Sequence, residues 1–322
     1  MIRRGGKLLI LIYMIFLAVL FLMCFTDLII REPEKEIYQI AVIIEDVRDD
    51  NYGNFRKGMD QAAIEFNADV HFITLYERLD AEQQMELISR EQQDGADALI
   101  VVPVDEERLM DAVSEKQIAI PMVVLGTASA EEGTAGRILI DYREMGEKLA
   151  ERMKERMPEN CQILLLGEAD GRSRITDSFL DGAMTKLEHD GYSCLAAEPA
   201  EGEGVREIFG ELSEKETVIL AGSPEILSEA AEILAADPVL SDRVQGLYGR
   251  GSTLSILDDL DEGLITGVCV TDEFSRGYFS VYMAIQALEE KDSQRPMTMD
   301  SYYIEKEDLR EPEYEKILFP VE

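Results

Sequence analysis

Short apolar runs alternate with amphipathic stretches from residue 38 almost to the C-terminus, and this alternation constrains the fold more than any other feature. The runs are Tyr38–Ile44, Val70–Leu75, Ala98–Val104, Pro121–Gly126, Arg137–Asp141, Gln162–Gly167, Ser193–Ala197, Thr217–Gly222, Val244–Gly249 and Ile265–Val270. Continuous apolar runs are typical of strands buried on both faces of a parallel sheet. The stretches between them have helical periodicity, as in Phe55, Met59 and Ala62. The pattern predicts an α/β fold with doubly wound parallel sheets.

These strands are too many for one compact core in a chain of 322 residues, so we expect two lobes. The helical stretch Met145–Met157 separates a first set of strands from a second set. The first crossing between the lobes is therefore expected near Asp141–Glu144.

A transmembrane helix is predicted at residues 8–26, because no charged residue occurs from Leu8 to Thr26. Basic residues precede this segment and acidic residues dominate after it, which predicts a cytoplasmic N-terminus at residues 1–7 and an extracytoplasmic remainder that begins with a linker at 27–36. The alternative is a cleaved signal peptide, which has a shorter apolar core of about 7–15 residues and small residues before its cleavage site. A lipoprotein signal needs a small residue before its cysteine, whereas Met23 precedes Cys24.

The net charge of −35 argues against nucleic acid as a partner. Because several basic residues lie before the transmembrane segment, the rest of the chain has a more negative net charge than the whole chain. Such a surface repels phosphate backbones and anionic headgroups, and it keeps a protein soluble.

Cysteine and histidine residues give no sign of a metal or catalytic site. Cys161 and Cys194 begin consecutive predicted strands, so they are either a neighbouring pair or separate buried thiols. His71 and His189 have no partners at metal-ligand spacing. Because no nucleophile motif is present either, we expect a protein without catalytic activity, metal or cofactor.

The order of several segments carries a resemblance to a known family. They are NYGNFRKGMDQAA, DGADALIVVPVD, IAIPMVVLG, ILIDYREMGEKLAERM, QILLLGEADGRSRITDSFLDGAM and GLITGVCVTDEFSRGYFSVYMAIQAL. In this order they resemble type I periplasmic binding proteins, specifically ribose-binding-like sugar receptors, whose lobes share the fold of lactose-repressor-like effector domains. The resemblance covers the chain from Tyr38 onward.

The resemblance implies a ligand held in a cleft between two lobes joined by three crossovers. These crossovers are expected near Asp141–Glu144, Val270–Phe274 and Met299–Tyr303. The N-terminal lobe is then expected at residues 37–142 with 273–300. The C-terminal lobe is expected at 143–272 with 301–322.

Candidate ligand-binding residues lie at or just after the predicted strand ends and crossovers, where α/β sheets bind ligands. They are Asp50, Asn51, Tyr52, Asp105, Arg172, Arg174, Tyr248, Arg250 and Asp272. Tyr52 stands where the related receptors have aromatic residues that stack on a sugar. Asp105 has an alternative role as the N-cap of the following helix.

The sequence departs from the sugar receptors at positions that would read hydroxyl groups. Gly126 and Thr127 replace an aspartate followed by arginine or serine, and Asp177 falls on the position of a sugar-binding arginine. Three arginines, at 172, 174 and 250, follow strands of the second lobe. Because arginine binds carboxylate and phosphate oxygens well, the ligand is expected to carry an anionic or strongly accepting group. The alternative is that these arginines pair with nearby carboxylates.

We therefore expect a membrane-tethered extracytoplasmic solute-binding protein that captures a small polar solute, sugar-like or anionic. It would deliver the solute to an ABC permease or signal to a sensor histidine kinase, and tethering suits both because it raises the effective concentration at a membrane partner. The alternative is a degenerate receptor that binds no small ligand and acts as a protein-interaction module.

Overall fold

A computed structural model describes residues 4–25, 37–127, 133–158, 161–168, 173–200, 204–210, 216–289 and 295–320. The chain divides into two units, residues 1–37 and residues 38–322. The first unit contains helix α1 (Arg4–Phe25). Within it, Gly6–Met23 has a mean hydropathy of 2.6 and is long and apolar enough to cross a membrane by length and composition.

The second unit alternates strands and helices along the chain. Its strands are β1 (Tyr38–Ile43), β2 (Ala68–Ile73), β3 (Ala98–Val101), β4 (Met122–Gly126), β5 (Gly136–Ile140), β6 (Gln162–Leu166), β7 (Cys194–Ala197), β8 (Thr217–Ala221), β9 (Val244–Arg250), β10 (Gly267–Thr271), β11 (Met297–Met299) and β12 (Ser301–Ile304). Its helices are α2 (Gly53–Phe66), α3 (Ala81–Asp94), α4 (Glu106–Ser114), α5 (Tyr142–Met153), α6 (Arg174–His189), α7 (Val205–Gly210), α8 (Pro224–Ala236), α9 (Pro238–Ser241), α10 (Leu254–Glu262), α11 (Glu273–Leu288) and α12 (Pro312–Leu318). Short 3-10 turns occur at Asp50–Tyr52 and Lys306–Arg310.

The helices begin where the sequence places a capping side chain after a strand. Asp105, Asp141, Ser173 and Asp272 each accept a hydrogen bond from a backbone N–H in the first turn of the helix that follows. Such caps satisfy N–H groups that have no partner inside the helix. They fix the points at which the chain turns from each sheet into its covering helix.

The described strands form two six-stranded sheets, in the orders β11-β5-β4-β3-β1-β2 and β12-β10-β9-β8-β6-β7. All pairs in the first sheet are parallel. In the second sheet only β12 is antiparallel to its neighbour, β10. The predicted α/β fold with two doubly wound sheets is confirmed. The antiparallel edge strand β12 was not predicted.

The chain passes between the two sheets three times, from β5 to β6, from β10 to β11 and from β11 to β12. We call the part of the chain built around the first sheet the N-terminal lobe, and the part built around the second sheet the C-terminal lobe. Helix α11 packs on α2 of the first, and α5 packs on α6 of the second. The exact limits of the lobes, 37–142 with 273–300 and 143–272 with 301–322, stay a proposal.

Each lobe has its own hydrophobic core on both faces of its sheet. Ile40, Val42 and Ile100 belong to a cluster on one face of the first sheet, and Ile43 and Val101 to a cluster on the other. This alternation along β1 and β3 is the expected consequence of the strand period of two. Cys161, just before β6, Cys194, which begins β7, and Cys269 of β10 have free thiols and lie in or against one hydrophobic cluster of the C-terminal lobe.

Candidate ligand-binding cleft

A cavity of about 130 Å³ lies between the lobes at the carboxyl ends of both sheets. Its walls come from the loops after β1, β2, β3 and β4 of the N-terminal lobe and after β6, β8, β9 and β10 of the C-terminal lobe. Parallel α/β sheets bind their ligands at this edge because loops and helix N-termini converge there. The cavity is small beside typical ligand pockets of about 300–1,000 Å³, which favours a small solute.

One wall of the cavity contains a tyrosine–carboxyl pair at the end of β1. The Tyr52 hydroxyl donates to Glu45 Oε2 at 2.7 Å. Burial raises the pKa of the Glu45 carboxyl, and the hydrogen bond from Tyr52 only partly opposes this effect. The Tyr52 ring packs edge-on against Phe55 and beside Phe72. The ring is thus fixed in the core, and its polar end reaches the cavity.

A second carboxylate reaches the cavity from the first turn of α4. Glu106 forms a buried ion pair with Arg137 of β5 and accepts a bond from the Thr127 hydroxyl at 3.4 Å. Its carboxylate lies 3.4 Å from the position that a Cβ at Gly126 would occupy. Gly126 therefore leaves room for a carboxylate beside the end of β4. The Glu106 carboxylate is thus an acceptor beside Gly126 and Thr127, the positions at which the sequence departs from the aspartate of the sugar receptors.

The wall nearest the second and third crossovers contains a buried arginine. Arg276 Nη1 donates to the Glu273 carboxylate at 3.1 and 3.4 Å, and Thr271 Oγ1 donates to the same group at 2.6 Å. Arg276 is 6% exposed. This carboxylate and guanidinium belong to the first turn of α11, directly after β10.

Another part of the wall contains Arg250 and Tyr142, and the buried Phe179 ring also contacts this arginine. Arg250 Nε donates to the Gly222 carbonyl at 2.8 Å. Its guanidinium lies 5.4 Å from the centre of the Tyr142 ring and 6.0 Å from that of Phe179. Stacking and the hydrogen bond together hold this cation at the end of β9.

Among the contacts of the described residues that join the lobes, two involve residues of the cavity. Arg78, from the loop after β2, pairs with Glu168 at the end of β6. Asn51 donates to the Glu225 carboxylate at the start of α8. Both pairs join one lobe to the other directly.

The structure brings four of the predicted residues to this cavity: Asn51, Tyr52, Arg174 and Arg250. Arg174 is exposed and begins α6, beside the capping Ser173. Arg172 lies outside the described residues. A ligand-binding role for any of them stays a prediction.

The other predicted residues have different positions. Asp105 and Asp272 are helix N-caps, and Asp50 is an exposed residue that pairs with Arg48. The placement of Tyr248 in the cleft is wrong. It is 1% exposed and belongs to the core of the C-terminal lobe, because β9 continues for two residues beyond it.

The sequence reasoning missed several charged residues of the cavity. Glu45 follows β1 almost directly and was overlooked, whereas Arg78, Glu106, Glu273 and Arg276 are not the first polar residue after a strand. For Arg276 a signal existed, since it directly precedes Gly277 and lies four residues before Ser280 on the buried side of a helix. A charged residue on such a face needs a partner or a ligand.

Comparison with known proteins decides the family. The model of the family described as "periplasmic binding protein domain" matches residues 40–292. The chain belongs to the periplasmic binding protein family. This confirms the resemblance on which the cleft was predicted.

Solved structures of solute-binding proteins and of a LacI-type regulator have the same fold. A carbohydrate transporter solute-binding protein from Agrobacterium radiobacter, in complex with D-arabinose, has a TM-score of 0.76 at 16% identity, covering 88% of this chain and 99% of that one. An ABC transporter solute-binding protein from Bacillus halodurans with bound myo-inositol has a TM-score of 0.74 at 20% identity, with coverage of 88% and 99%. A LacI-type regulator structure from Bacteroides fragilis has a TM-score of 0.73 at 14% identity, with coverage of 85% and 99%. No curated protein sequence matched this periplasmic binding protein.

Proposed function

We propose that this protein captures a small, neutral, polyhydroxylated solute of the sugar or cyclitol class between its lobes. The observation that carries the proposal is the pairing of arginines with acceptors at the cavity. The cavity residues Arg276 and Glu273 pair with each other. The cavity residues Arg78 and Glu106 pair with Glu168 and Arg137, which do not line the cavity themselves. A hydroxyl group both donates and accepts, so walls that offer guanidinium donors beside carboxylate acceptors suit it.

This pairing favours a neutral solute over the anionic one expected from the sequence. An anion would need arginine charge that is not already neutralised. Arg250 is the cavity arginine held by a carbonyl and aromatic rings rather than by a carboxylate, and Arg174 is exposed at the edge. The structures from A. radiobacter and B. halodurans contain D-arabinose and myo-inositol, which are neutral and polyhydroxylated.

We propose binding without catalysis. The cavity's carboxylates are engaged with arginine, tyrosine, threonine or asparagine side chains, as Glu45 is with Tyr52 and Glu225 with Asn51. Both histidines are exposed and lie away from the cavity, in β2 and at the end of α6. The polar groups thus have recognition partners, and none is arranged as a nucleophile with its base.

We also propose that α1 tethers the protein to the membrane with residues 37–322 outside the cell. Its apolar length supports this, and the basic residues before it favour a cytoplasmic N-terminus. The tether would hold the receptor near an ABC permease or a sensor histidine kinase. Protease added to intact cells should degrade residues 37–322, and the membrane fraction should retain them. Recovery of a mature protein that starts after residue 25 from the medium would contradict the tether.

The test of the ligand class is a binding panel. Full-length protein in detergent is titrated calorimetrically with D-arabinose, D-allose, D-fucose and myo-inositol, and with D-galacturonate and D-gluconate as anionic counterparts. Since the chain has no tryptophan, unfolding is followed by circular dichroism. Ligand at about 100 times its Kd should stabilise the fold by about 2.7 kcal/mol. Tight binding restricted to the anions would refute a neutral solute, and binding of none would favour the protein-interaction alternative.

A further inference from the structure

Arg276 is a buried cation whose hydrogen-bonding capacity is only partly used. Of its guanidinium nitrogens, only Nη1 bonds to a side chain or backbone group of the described residues, and that bond is to Glu273. Nε is fully buried and has no hydrogen-bond partner among those residues. A buried donor without an acceptor lowers the stability of the fold. Nη2 likewise makes no hydrogen bond to the described residues, so it is the nitrogen left to bind an acceptor in the cavity.

The structure holds this guanidinium rigidly at the cavity. Helix α11 approaches α2 so closely that a Cβ at Gly277 would lie 2.0 Å from the Phe55 carbonyl oxygen. The guanidinium of the preceding residue lies 5.9 Å from the centre of the Phe55 ring. Since Arg276 also lines the cavity, its remaining accessible surface faces the cleft. Its first turn cannot move without separating two tightly packed helices.

The surroundings provide an acceptor beside the donor. Glu273 also lines the cavity, and its carboxylate is fixed by Arg276 and Thr271. Tyr52, Tyr142 and Glu45 lie close enough to the same guanidinium to interact with it. These groups come from the segment between β1 and α2, from the start of α5 and from α11, so they enclose the site from three parts of the chain.

We propose that Arg276 and Glu273 are the specificity-determining pair of the cleft and read a vicinal diol of the ligand. Arg276 donates a hydrogen bond to the oxygen of one hydroxyl, and Glu273 accepts a hydrogen bond from the adjacent hydroxyl. This inference rests on the proposed function and narrows it. It predicts that two adjacent hydroxyl groups of the solute are required together, while hydroxyls elsewhere are read less strictly.

The test compares ligands and variants in one cycle, using the full-length protein in detergent. The probes are D-arabinose, D-allose and myo-inositol with their single-deoxy analogues, titrated calorimetrically. The variants are Arg276→Met, Arg276→Lys and Glu273→Gln. The control is Arg90→Met, which removes an exposed arginine of α3 whose ion-pair partner is the adjacent Glu91.

For wild type and the control, removal of either hydroxyl of one adjacent pair should weaken binding at least about tenfold, which is about 1.4 kcal/mol. Arg276→Met should weaken binding of the parent ligand by a similar factor and abolish the discrimination against one deoxy analogue. Glu273→Gln should abolish the discrimination against the other. Arg276→Lys should restore charge without restoring discrimination, since an ammonium lacks the guanidinium's fork of donors.

The results distinguish failure of the specificity pair from failure of the proposed function. If wild type binds none of the probes, the proposed function fails and this inference fails with it. If wild type binds a probe and both Arg276 variants keep its Kd and its discrimination, only the specificity pair is refuted. A purely structural Arg276 would lower the unfolding temperature in circular dichroism without changing the ratio between parent and deoxy ligands. If Arg276→Met does not fold, Arg276→Lys and Glu273→Gln still decide the question.

Discussion

Arg78 of the N-terminal lobe forms a bidentate ion pair with Glu168 of the C-terminal lobe. Nη1 lies 2.7 Å from Oε2, and Nη2 lies 3.1 Å from Oε1. Asp46 accepts from Nε of the same arginine at 3.2 Å, and the Thr176 hydroxyl donates to Glu168 at 2.8 Å. Every oxygen and nitrogen of this pair thus has a partner, in an arrangement that joins the ends of β1 and β6.

The loop that presents Arg78 has a strained backbone. Leu79 has a φ of 58°, in the left-handed region that residues other than glycine rarely adopt. Its N–H donates to the Glu45 carbonyl at 3.0 Å, which ties the loop to the end of β1. Strain of this kind persists where the surrounding structure holds it and is concentrated at functional positions. Here it directs a cation across the cleft.

Loss of Arg78 should favour opening of the lobes. In Arg78→Ala, the Glu168 carboxylate, 8% exposed, would remain buried without its cation, and opening would hydrate it. Because the Arg78 side chain is 36% exposed, solvent screening limits the coupling to about 1 kcal/mol. We expect a larger radius of gyration by small-angle scattering of residues 37–322, and ligand binding weakened several-fold.

The matched control for this prediction is Arg90→Ala, which removes an exposed arginine of the same lobe. The double variant Arg78→Ala with Glu168→Ala should recover part of the loss, because it removes the stranded charge. Equal scattering profiles for wild type and Arg78→Ala would mean that the pair does not hold the lobes together.

The ionised Glu168 carboxylate should make the stability of the fold depend on pH. Burial would raise its pKa, but hydrogen bonds from Arg78 and Thr176 and the Arg78 charge outweigh burial and hold the pKa below its ordinary value of 4.5. A depressed pKa stabilises the fold above the unfolded-state value, and this contribution is lost as the pH falls through the folded-state value. Glu168→Gln should therefore lower the unfolding temperature at about pH 7 and approach wild type below about pH 4. A difference that does not depend on pH would contradict it.

The contribution of Glu45 to the pH dependence of stability should have the opposite sign to that of Glu168. Its pKa is raised, chiefly by burial, so the charged form costs stability above the folded-state pKa and the cost disappears as the pH falls through it. Glu45→Gln keeps an oxygen that can accept from Tyr52. The variant should be more stable than wild type at neutral pH and equal to it in acid, as measured by circular dichroism across the same range. A variant less stable at neutral pH would show that the carboxylate is needed there.

The fold could be predicted from the sequence because its signals are local and repeated. Several charged residues of the cavity could not. Apolar runs such as Ala98–Val104 identify the strands, and the carboxyl end of each strand identifies the loops around the cleft. Arg78 was not predicted because its loop turns back at Leu79, whose left-handed backbone conformation the sequence does not indicate. Tyr248 was misplaced because the runs locate a strand end only to within one or two residues.

Close packing of α2 on α11 should make Gly277 intolerant of any side chain. A Cβ there would lie 2.0 Å from the Phe55 carbonyl oxygen and 3.1 Å from the Met59 backbone nitrogen, so the helices would have to separate. Gly277→Ala should destabilise the protein by about 1–3 kcal/mol or more in denaturant unfolding. The control is Gly53→Ala at the start of α2, where a Cβ meets nothing within 4 Å and φ is −55°. That variant should be neutral or slightly stabilising.

Arg174 and Arg250 give the last prediction, because they differ in how they are held at the cavity. Arg174 is exposed, whereas Arg250 donates to the Gly222 carbonyl and stacks on Tyr142 and Phe179. For a neutral solute, Arg174→Ala should leave the Kd within about twofold, since a solvated surface arginine contributes little. Arg250→Ala should weaken binding about tenfold or more, because it removes a positioned donor and the packing of two rings. Calorimetric titration of both variants with D-arabinose and D-galacturonate measures the difference. If Arg174→Ala instead abolishes D-galacturonate binding while D-arabinose does not bind wild type, the solute is an anion.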